Sequence, residues 1–277
     1  MVVEFMKADI VCEGGGVKGI ALLGAIYYLE EKGYTFQNFA GTSAGAIVSS
    51  LLAVGYTGKE LKELLLNIKF TDFYEKNKLS LLPFIGPTIS LFKNKGLFSG
   101  NNIEEYLNKL YKAKGKHKFK DIAVNGKSPL KVIASDVTNK KLLVLPDDLK
   151  NYNIDPLEFE IAKAVRMSIS IPFYFNPVIL KYGKESSYIV DGGIFSNFPI
   201  WLFDVDGIPK WPTFGLKLLS DNDLKKTSPN KSNLITYSCD IVDTLFANSD
   251  EGFLKNKDSV RTVSYTHLRA HETGAYL

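Results

Sequence analysis

Tyr34-Thr-Phe-Gln-Asn-Phe-Ala-Gly-Thr-Ser-Ala-Gly-Ala-Ile-Val-Ser-Ser-Leu-Leu-Ala-Val54 is the stretch that decides the fold. Tyr34 to Ala40 reads as a strand and Ala46 to Val54 as an apolar helix, with Gly41-Thr42-Ser43-Ala44-Gly45 as the turn between them. The unit before it repeats the pattern. Ala8 to Glu13 is a short apolar run of strand length, and Gly14-Gly15-Gly16-Val17-Lys18-Gly19 follows at once. From Ile20 to Lys32, Leu22, Leu23, Ile26 and Leu29 recur at helical spacing, and Gly33 is a natural stop. Strand, turn, helix, strand, turn, helix is the grammar of an α/β fold with a parallel sheet covered by helices.

Downstream the elements are less regular. Thr57 or Gly58 can cap a helix to about Lys69, and Ser99 or Asn101 one to about Lys112. Between them, residues 70–100 mix Phe, Leu and Ile with lysines, and read equally as core or as an apolar lid that meets lipid. Leu130 to Val137 and Lys141 to Leu145 read as strands around an Asn139-Lys140 turn. Phe159 to Ser168 reads as helix, Ser186 to Val190 leads into Asp191-Gly192-Gly193, Pro212 to Leu218 is a buried strand, and Asn233 to Phe253 a final amphipathic helix. No repeat or linker divides the chain, so one domain is expected.

Composition narrows the class. The 277 residues are 45% hydrophobic and 23% charged, an ordinary globular balance. Against 34 basic residues stand 30 acidic ones, a net +4, too weak to argue for nucleic acid but compatible with an anionic membrane surface. No apolar run approaches the roughly 18 residues of a membrane span. The first residues lack a signal-peptide pattern, so a cytoplasmic or peripheral-membrane location is expected, with signal-independent export left open. Two cysteines, Cys12 and Cys239, imply neither a disulfide framework nor a zinc site. Val263 to Thr273 resembles a translated sequencing adapter, so residues 1–262 are read as the natural domain, cut short at its carboxyl end, and 263–277 as a non-native tail. That leaves His117, in the basic stretch Lys114 to Phe119, as the sole histidine outside the tail, and it is read as a solvated surface residue.

Three motifs carry chemistry. Gly41-Thr42-Ser43-Ala44-Gly45 is a Gly-x-Ser-x-Gly turn between strand and helix, the setting that thrusts a serine hydroxyl out at a strand tip. Serine needs a base, and with no histidine in a recognisable motif a carboxylate leads. Asp191, at the end of the run Tyr188-Ile189-Val190 and before Gly192 and Gly193, is the best placed; burial would raise its pKa and suit it to the task. Gly14 to Gly19, opening a helix, offers backbone amides to an anion. The run formally satisfies Gly-x-Gly-x-x-Gly at 14, 16 and 19. However, the acidic residue of a dinucleotide site is missing some 20 positions on, and Lys18 precedes Gly19 rather than the Ser or Thr of a P-loop.

In this order the three motifs resemble the patatin-like phospholipase family. The resemblance implies a three-layer α/β/α domain with a mostly parallel central sheet. It implies an oxyanion hole at Gly14, Gly15, Gly16, Val17, Lys18 and Gly19, Ser43 as nucleophile in an elbow of Gly41, Thr42, Ala44 and Gly45, and Asp191 as general base, followed by Gly192 and Gly193. Ala134 to Thr138, Ala164 to Val178 and Asn197-Phe198-Pro199 are also similar to the family, so the likeness runs from about Ala8 to at least Pro199. The implied activity is lipid acyl-ester hydrolysis through an acyl-enzyme, without metal or cofactor, on a lipid or membrane-surface substrate. A structural ion pair is the leading role for Arg166, with a lipid phosphate or a loop brace as others. Transfer to another acceptor by the same dyad, thioester cleavage, an idle lipid-binding protein and a histidine-triad esterase using His117 remain open alternatives. The head group and oligomeric state are not legible.

Overall fold

The computed structural model describes residues 6–67, 93–218, 234–250 and 262–265. Most of the apolar stretch at 70–100 lies outside these residues, as do the end of the final helix expected past Asp250 and the tail beyond Tyr265.

The first half follows the strand–helix alternation. Strand β1 (Met6–Cys12) leads through a 3-10 turn (Gly16–Ala21) into α1 (Leu22–Glu31). Gly33, at φ +87°, ends the helix and reverses the chain into β2 (Tyr34–Thr42). Helix α2 (Ala44–Ala53) follows, then α3 (Gly58–Asn67). Thr57 opens α3 with a reciprocal capping pair: its N–H donates to Glu60 Oε2 at 2.9 Å, and the Glu60 N–H donates to Thr57 Oγ1 at 3.2 Å. Beyond β3 (Gly96–Phe98), α4 (Asn101–Ala113) leads to the hairpin β4 (Leu130–Asp136) and β5 (Lys141–Leu145). Helix α5 (Ile161–Ser168) precedes β6 (Phe173–Phe175), β7 (Val178–Tyr182) and β8 (Glu185–Asp191). Strand β9 (Thr213–Leu218), α6 (Leu234–Asn248) and β10 (Thr262–Tyr265) complete the described chain.

Among the described residues eight strands form one mixed sheet, ordered β10-β9-β1-β2-β4-β8-β7, with β5 also on β4. The run from β10 to β4 is parallel, while β8, β7 and β5 join by antiparallel pairing. The segment Val178–Tyr182 is a strand the sequence reading did not separate; it pairs with β8 as a hairpin. Strand β10 straddles the junction at 262 and 263, so Val263 to Tyr265 of the suspected tail stand in an edge strand beside β9.

The parallel part of the sheet is buried on both faces, which accounts for the consecutive apolar residues Ile10, Val11 and Cys12 of β1. Ile10, Cys12 and Phe39 face a large core with α1, α2, α4 and α5, whereas Val11 and Ala40 face a smaller one with Phe198 and Ile200. A buried polar clasp ties the β4–β5 hairpin: Tyr152 donates to Asp136 Oδ2 at 2.6 Å, and Asn139 Nδ2 donates to the same oxygen at 2.8 Å. Burial alone would raise the Asp136 carboxyl, but these bonds outweigh it and hold the group below the usual carboxylate range. Among the described residues no helix is long and apolar enough to cross a membrane.

Candidate active site

Register brings the two candidate catalytic residues together. Thr42, the last residue of β2, pairs with Ile133 on β4. One step on, Ala134 of β4 pairs with Asp191, the last residue of β8. Ser43, one step beyond Thr42, therefore stands level with Asp191 with a single strand between them. Two strand spacings put their backbones roughly 9–10 Å apart, within reach of two inward side chains.

The elbow at Ser43 is held by close backbone packing. Ser43 sits at φ 52°, ψ −124°, a region that a residue with a side chain occupies only when its surroundings compel it. A Cβ on Gly41 would stand 2.4 Å from the Gly45 carbonyl oxygen, and one on Gly45 would stand 2.2 Å from that of Cys12. Both positions are thus closed to any side chain. The Ser43 N–H donates to Ser168 Oγ at 2.9 Å, and its carbonyl accepts the Ala46 N–H at 2.9 Å, so α2 begins at the serine and turns its positive end toward it. Ser43 is 4% exposed.

Asp191 is fully buried. Its N–H donates to the Ser170 carbonyl at 3.0 Å, and its Oδ1 accepts the Gly193 N–H at 2.8 Å. Gly192 lies so close to β4 that a Cβ would stand 2.3 Å from the Ile133 carbonyl oxygen, while Gly193 lies against the ring of Phe246. Burial pushes the Asp191 carboxyl up to about 7, opposed in part by the Ser43 hydroxyl and the Gly193 N–H. Oδ2 has no hydrogen bond of ordinary geometry, so the Ser43 hydroxyl faces the carboxylate without completing the bond.

The glycine run packs against the elbow. Gly14 is held twice by Asn197: its N–H donates to the Asn197 carbonyl, and Asn197 Nδ2 donates to its carbonyl, both at 3.0 Å. A Cβ on Gly14 would stand 3.2 Å from that of Ser43, so the loop begins beside the serine. Gly15 and Gly16 are exposed, with Gly16 at φ +55°. A Cβ on Gly19 would meet that of Ala44 at 3.1 Å. The backbone of Val17 and Lys18 lies within the 3-10 turn.

Two expectations are corrected. His117 lies in irregular backbone as expected but is half-buried rather than fully solvated, with Nδ1 bonded to Asn108 Oδ1 at 2.8 Å and Nε2 3.4 Å from Glu160 Oε1. The stretch around it is tied down because Asp121 accepts the backbone N–H groups of His117 and Lys118, both at 2.8 Å. Arg166 was expected in an ion pair, but its partners are the carbonyl oxygens of Ser99 and Asn176 and the Ser170 hydroxyl. It is 2% exposed and braces the Ser99–Gly100 loop. Burial lowers its pKa to about 10, with the Glu104 charge opposing. Ser168 and Ser170, whose contacts reach the backbones of Ser43 and Asp191, escaped the sequence reading; the alternation Arg166-Met-Ser-Ile-Ser170 at a helix end was the available signal.

Comparison with known proteins bears on the family and the fold. A family model described as patatin-like phospholipase matches residues 10–204. An uncharacterized protein of Bacillus subtilis (strain 168), YqhO, is 45% identical over 214 residues, 77% of this chain and 72% of its own. A protein of Invertebrate iridescent virus 6, named probable lipid hydrolase 463L, is 32% identical over 69% of this chain and 61% of its own. Among solved structures, VipD from Legionella pneumophila matches with a TM-score of 0.50 at 17% identity, over 95% of this chain and 61% of that one. ExoU in complex with SpcU from Pseudomonas aeruginosa gives 0.51 at 17%, over 98% of this chain and 49% of that one; both likenesses concern the fold. The fold is that of an α/β hydrolase of lipids. The chain belongs to the patatin-like phospholipase family, a class of lipid hydrolases.

Proposed function

We propose that the protein hydrolyses fatty acyl esters of lipids through a Ser43–Asp191 dyad and a covalent acyl-enzyme. The observation that carries this reading is the buried Asp191 carboxylate, raised toward neutrality, facing the hydroxyl of a serine on a strained elbow.

The Asp191 carboxylate takes the Ser43 proton as Oγ attacks the ester carbonyl. A carboxyl with a pKa of about 7 is a far better base near neutrality than an ordinary aspartate. The negative charge on the carbonyl oxygen falls to the backbone amides of the Gly14–Gly19 loop and to the positive end of α2. As the intermediate collapses, the protonated Asp191 returns its proton to the departing alkoxide, and the acyl group remains on Ser43. Water, deprotonated by the same aspartate, then releases the fatty acid and restores the serine. The residues needed all belong to the chain, and no step calls for a cofactor. The catalytic unit is read as one domain, residues 1–262, acting at a lipid or membrane surface from the cytoplasmic side or after signal-independent export.

The test is hydrolysis of a soluble p-nitrophenyl acyl ester by the parent, Ser43→Ala and Asp191→Asn, each checked for cooperative unfolding. Activity in the parent and silence in both folded variants support the dyad. Full activity in Asp191→Asn removes its central residue, and a folded parent inert on every ester favours a lipid-binding protein. Transfer to an added alcohol or cleavage of a thioester in preference to the oxygen ester would move the reading to an acyltransferase or thioesterase.

A further inference from the structure

The site contains a connection that neither the motifs nor the family match includes, since that match ends at residue 204. Ser249 and Asp250 follow directly on α6, and Asp250 is a carboxylate only 7% exposed. Its Oδ1 accepts the Ser196 hydroxyl at 2.9 Å, and its Oδ2 accepts the Phe198 N–H at 2.8 Å. Ser249 Oγ accepts the intervening Asn197 N–H at 3.2 Å. Three consecutive residues after the Asp191 turn are thus fastened to two residues at the end of α6.

Two of those residues, Ser196 and Asn197, hold both sides of the candidate nucleophile. The Ser196 carbonyl accepts Thr42 Oγ1 at 2.9 Å, immediately before Ser43. Asn197 holds both backbone groups of Gly14, the first residue of the glycine loop. Its Oδ1 is buried without a hydrogen-bond partner and occupies the space a side chain on Gly14 would need, 2.2 Å from where a Cβ would stand. Such a side chain stays in place only while its backbone is fixed from behind. A buried carboxylate accepting two donors is a strong way to fix it, because removing the acceptor strands both donors away from water.

We propose that Asp250 is a positioning residue, holding Ser196–Phe198 so that Asn197 keeps the Gly14 loop aligned beside Ser43. This inference rests on the proposed role of that loop in binding the oxyanion. Misalignment of the loop weakens transition-state binding and leaves ground-state binding of a small ester nearly intact, so the effect falls on kcat.

The test compares the parent, Asp250→Ala, Asp250→Asn, Ser249→Ala and Ser43→Ala in the full chain, by p-nitrophenyl ester kinetics and thermal melting. Asp250→Ala lowers kcat by on the order of 10–100-fold with KM within about twofold. Asp250→Asn recovers most of that loss, because the amide oxygen can take the place of Oδ2 and accept the Phe198 N–H while Nδ2 donates to a rotated Ser196 hydroxyl. Ser249→Ala, which loses the acceptor for the Asn197 N–H and the hydroxyl's bond to the Phe246 carbonyl but keeps Asp250, gives a smaller fall in kcat. Parent kcat in folded Asp250→Ala overturns the proposal, as does equal loss in the Ala and Asn variants. If Asp250→Ala does not fold, Ser249→Ala decides: a selective fall in kcat supports the latch and parent kcat overturns it. Should Ser43→Ala keep parent activity, the site reading fails; silence of Ser43→Ala beside a parent-like Asp250→Ala removes the latch alone.

Discussion

Asp191→Asn silences the enzyme and strengthens the fold, and pH switches the second effect on. The substitution keeps the shape of the side chain and the oxygen that accepts the Gly193 N–H at 2.8 Å. What it removes is a charge at a fully buried position. Burial moves the carboxyl from 3.8 to about 7, a gap of roughly 3 units, which corresponds to a ceiling of about 4 kcal/mol for ionising it in the folded state. Because the folded pKa lies above the unfolded one, the folded chain binds the proton more tightly between these two values. Over that window the parent loses stability as pH rises, and the loss is complete above about pH 7. Asparagine does not titrate, so the advantage of the variant is absent at about pH 4 and full at about pH 8. For a chain of this size it is an increase in Tm on the order of 10 °C. The same group as general base gives a parent kcat/KM that rises through about pH 7 and a variant kcat lower by roughly 10²–10⁴-fold. Paired thermal melts at the two pH values, with a pH–rate profile of the parent, measure both effects. Equal Tm shifts at both pH values, or a parent profile flat across neutrality, refute the reasoning.

Three further substitutions probe the frame. Ser168→Ala leaves the Ser43 N–H without its acceptor in a buried place and costs about 1–3 kcal/mol of stability, with a fall in kcat measured on the same soluble ester. His117→Ala releases contacts to Asn108 and Glu160 only, so ester hydrolysis continues at the parent rate; loss of turnover in a folded variant would revive the histidine-triad reading. Gly45→Ala drives a methyl group into the Cys12 carbonyl at 2.2 Å and abolishes cooperative folding, which circular dichroism on heating reports.

The half of the fold nearest the amino terminus was legible because its signals are local. A strand, a glycine turn and an apolar helix succeed one another twice, and the glycines at 41 and 45 stand where the backbone tolerates nothing else. The level placement of Ser43 and Asp191 was not legible, since it depends on the register of β2, β4 and β8, whose paired residues stand 91 and 57 positions apart in the chain. The antiparallel wing escaped for a related reason. Val178–Tyr182 is short, and its sequence Val-Ile-Leu-Lys-Tyr does not alternate apolar with polar residues, so nothing in it marks a strand until β8 lies beside it. His117 and Arg166 were misread because a basic stretch and a lone arginine give no sign of being packed; the Glu160 contact of His117 and the Ser99–Gly100 contacts of Arg166 come from residues distant in the chain. Ser168, Asn197 and Asp250 act through backbone groups of other residues, and a sequence pattern does not show which distant N–H a hydroxyl or carboxylate will meet.

The central claim is that Ser43 is a nucleophile activated by Asp191, and trapping it tests this most directly. The parent and Asp191→Asn are incubated with an alkyl fluorophosphonate, and intact mass and peptide mapping follow the adduct over time. The expected result is a single adduct on Ser43 in the parent, formed at least about 100-fold more slowly in Asp191→Asn. An adduct on another residue, or labelling of Ser43 in Asp191→Asn at the parent rate, would contradict the dyad.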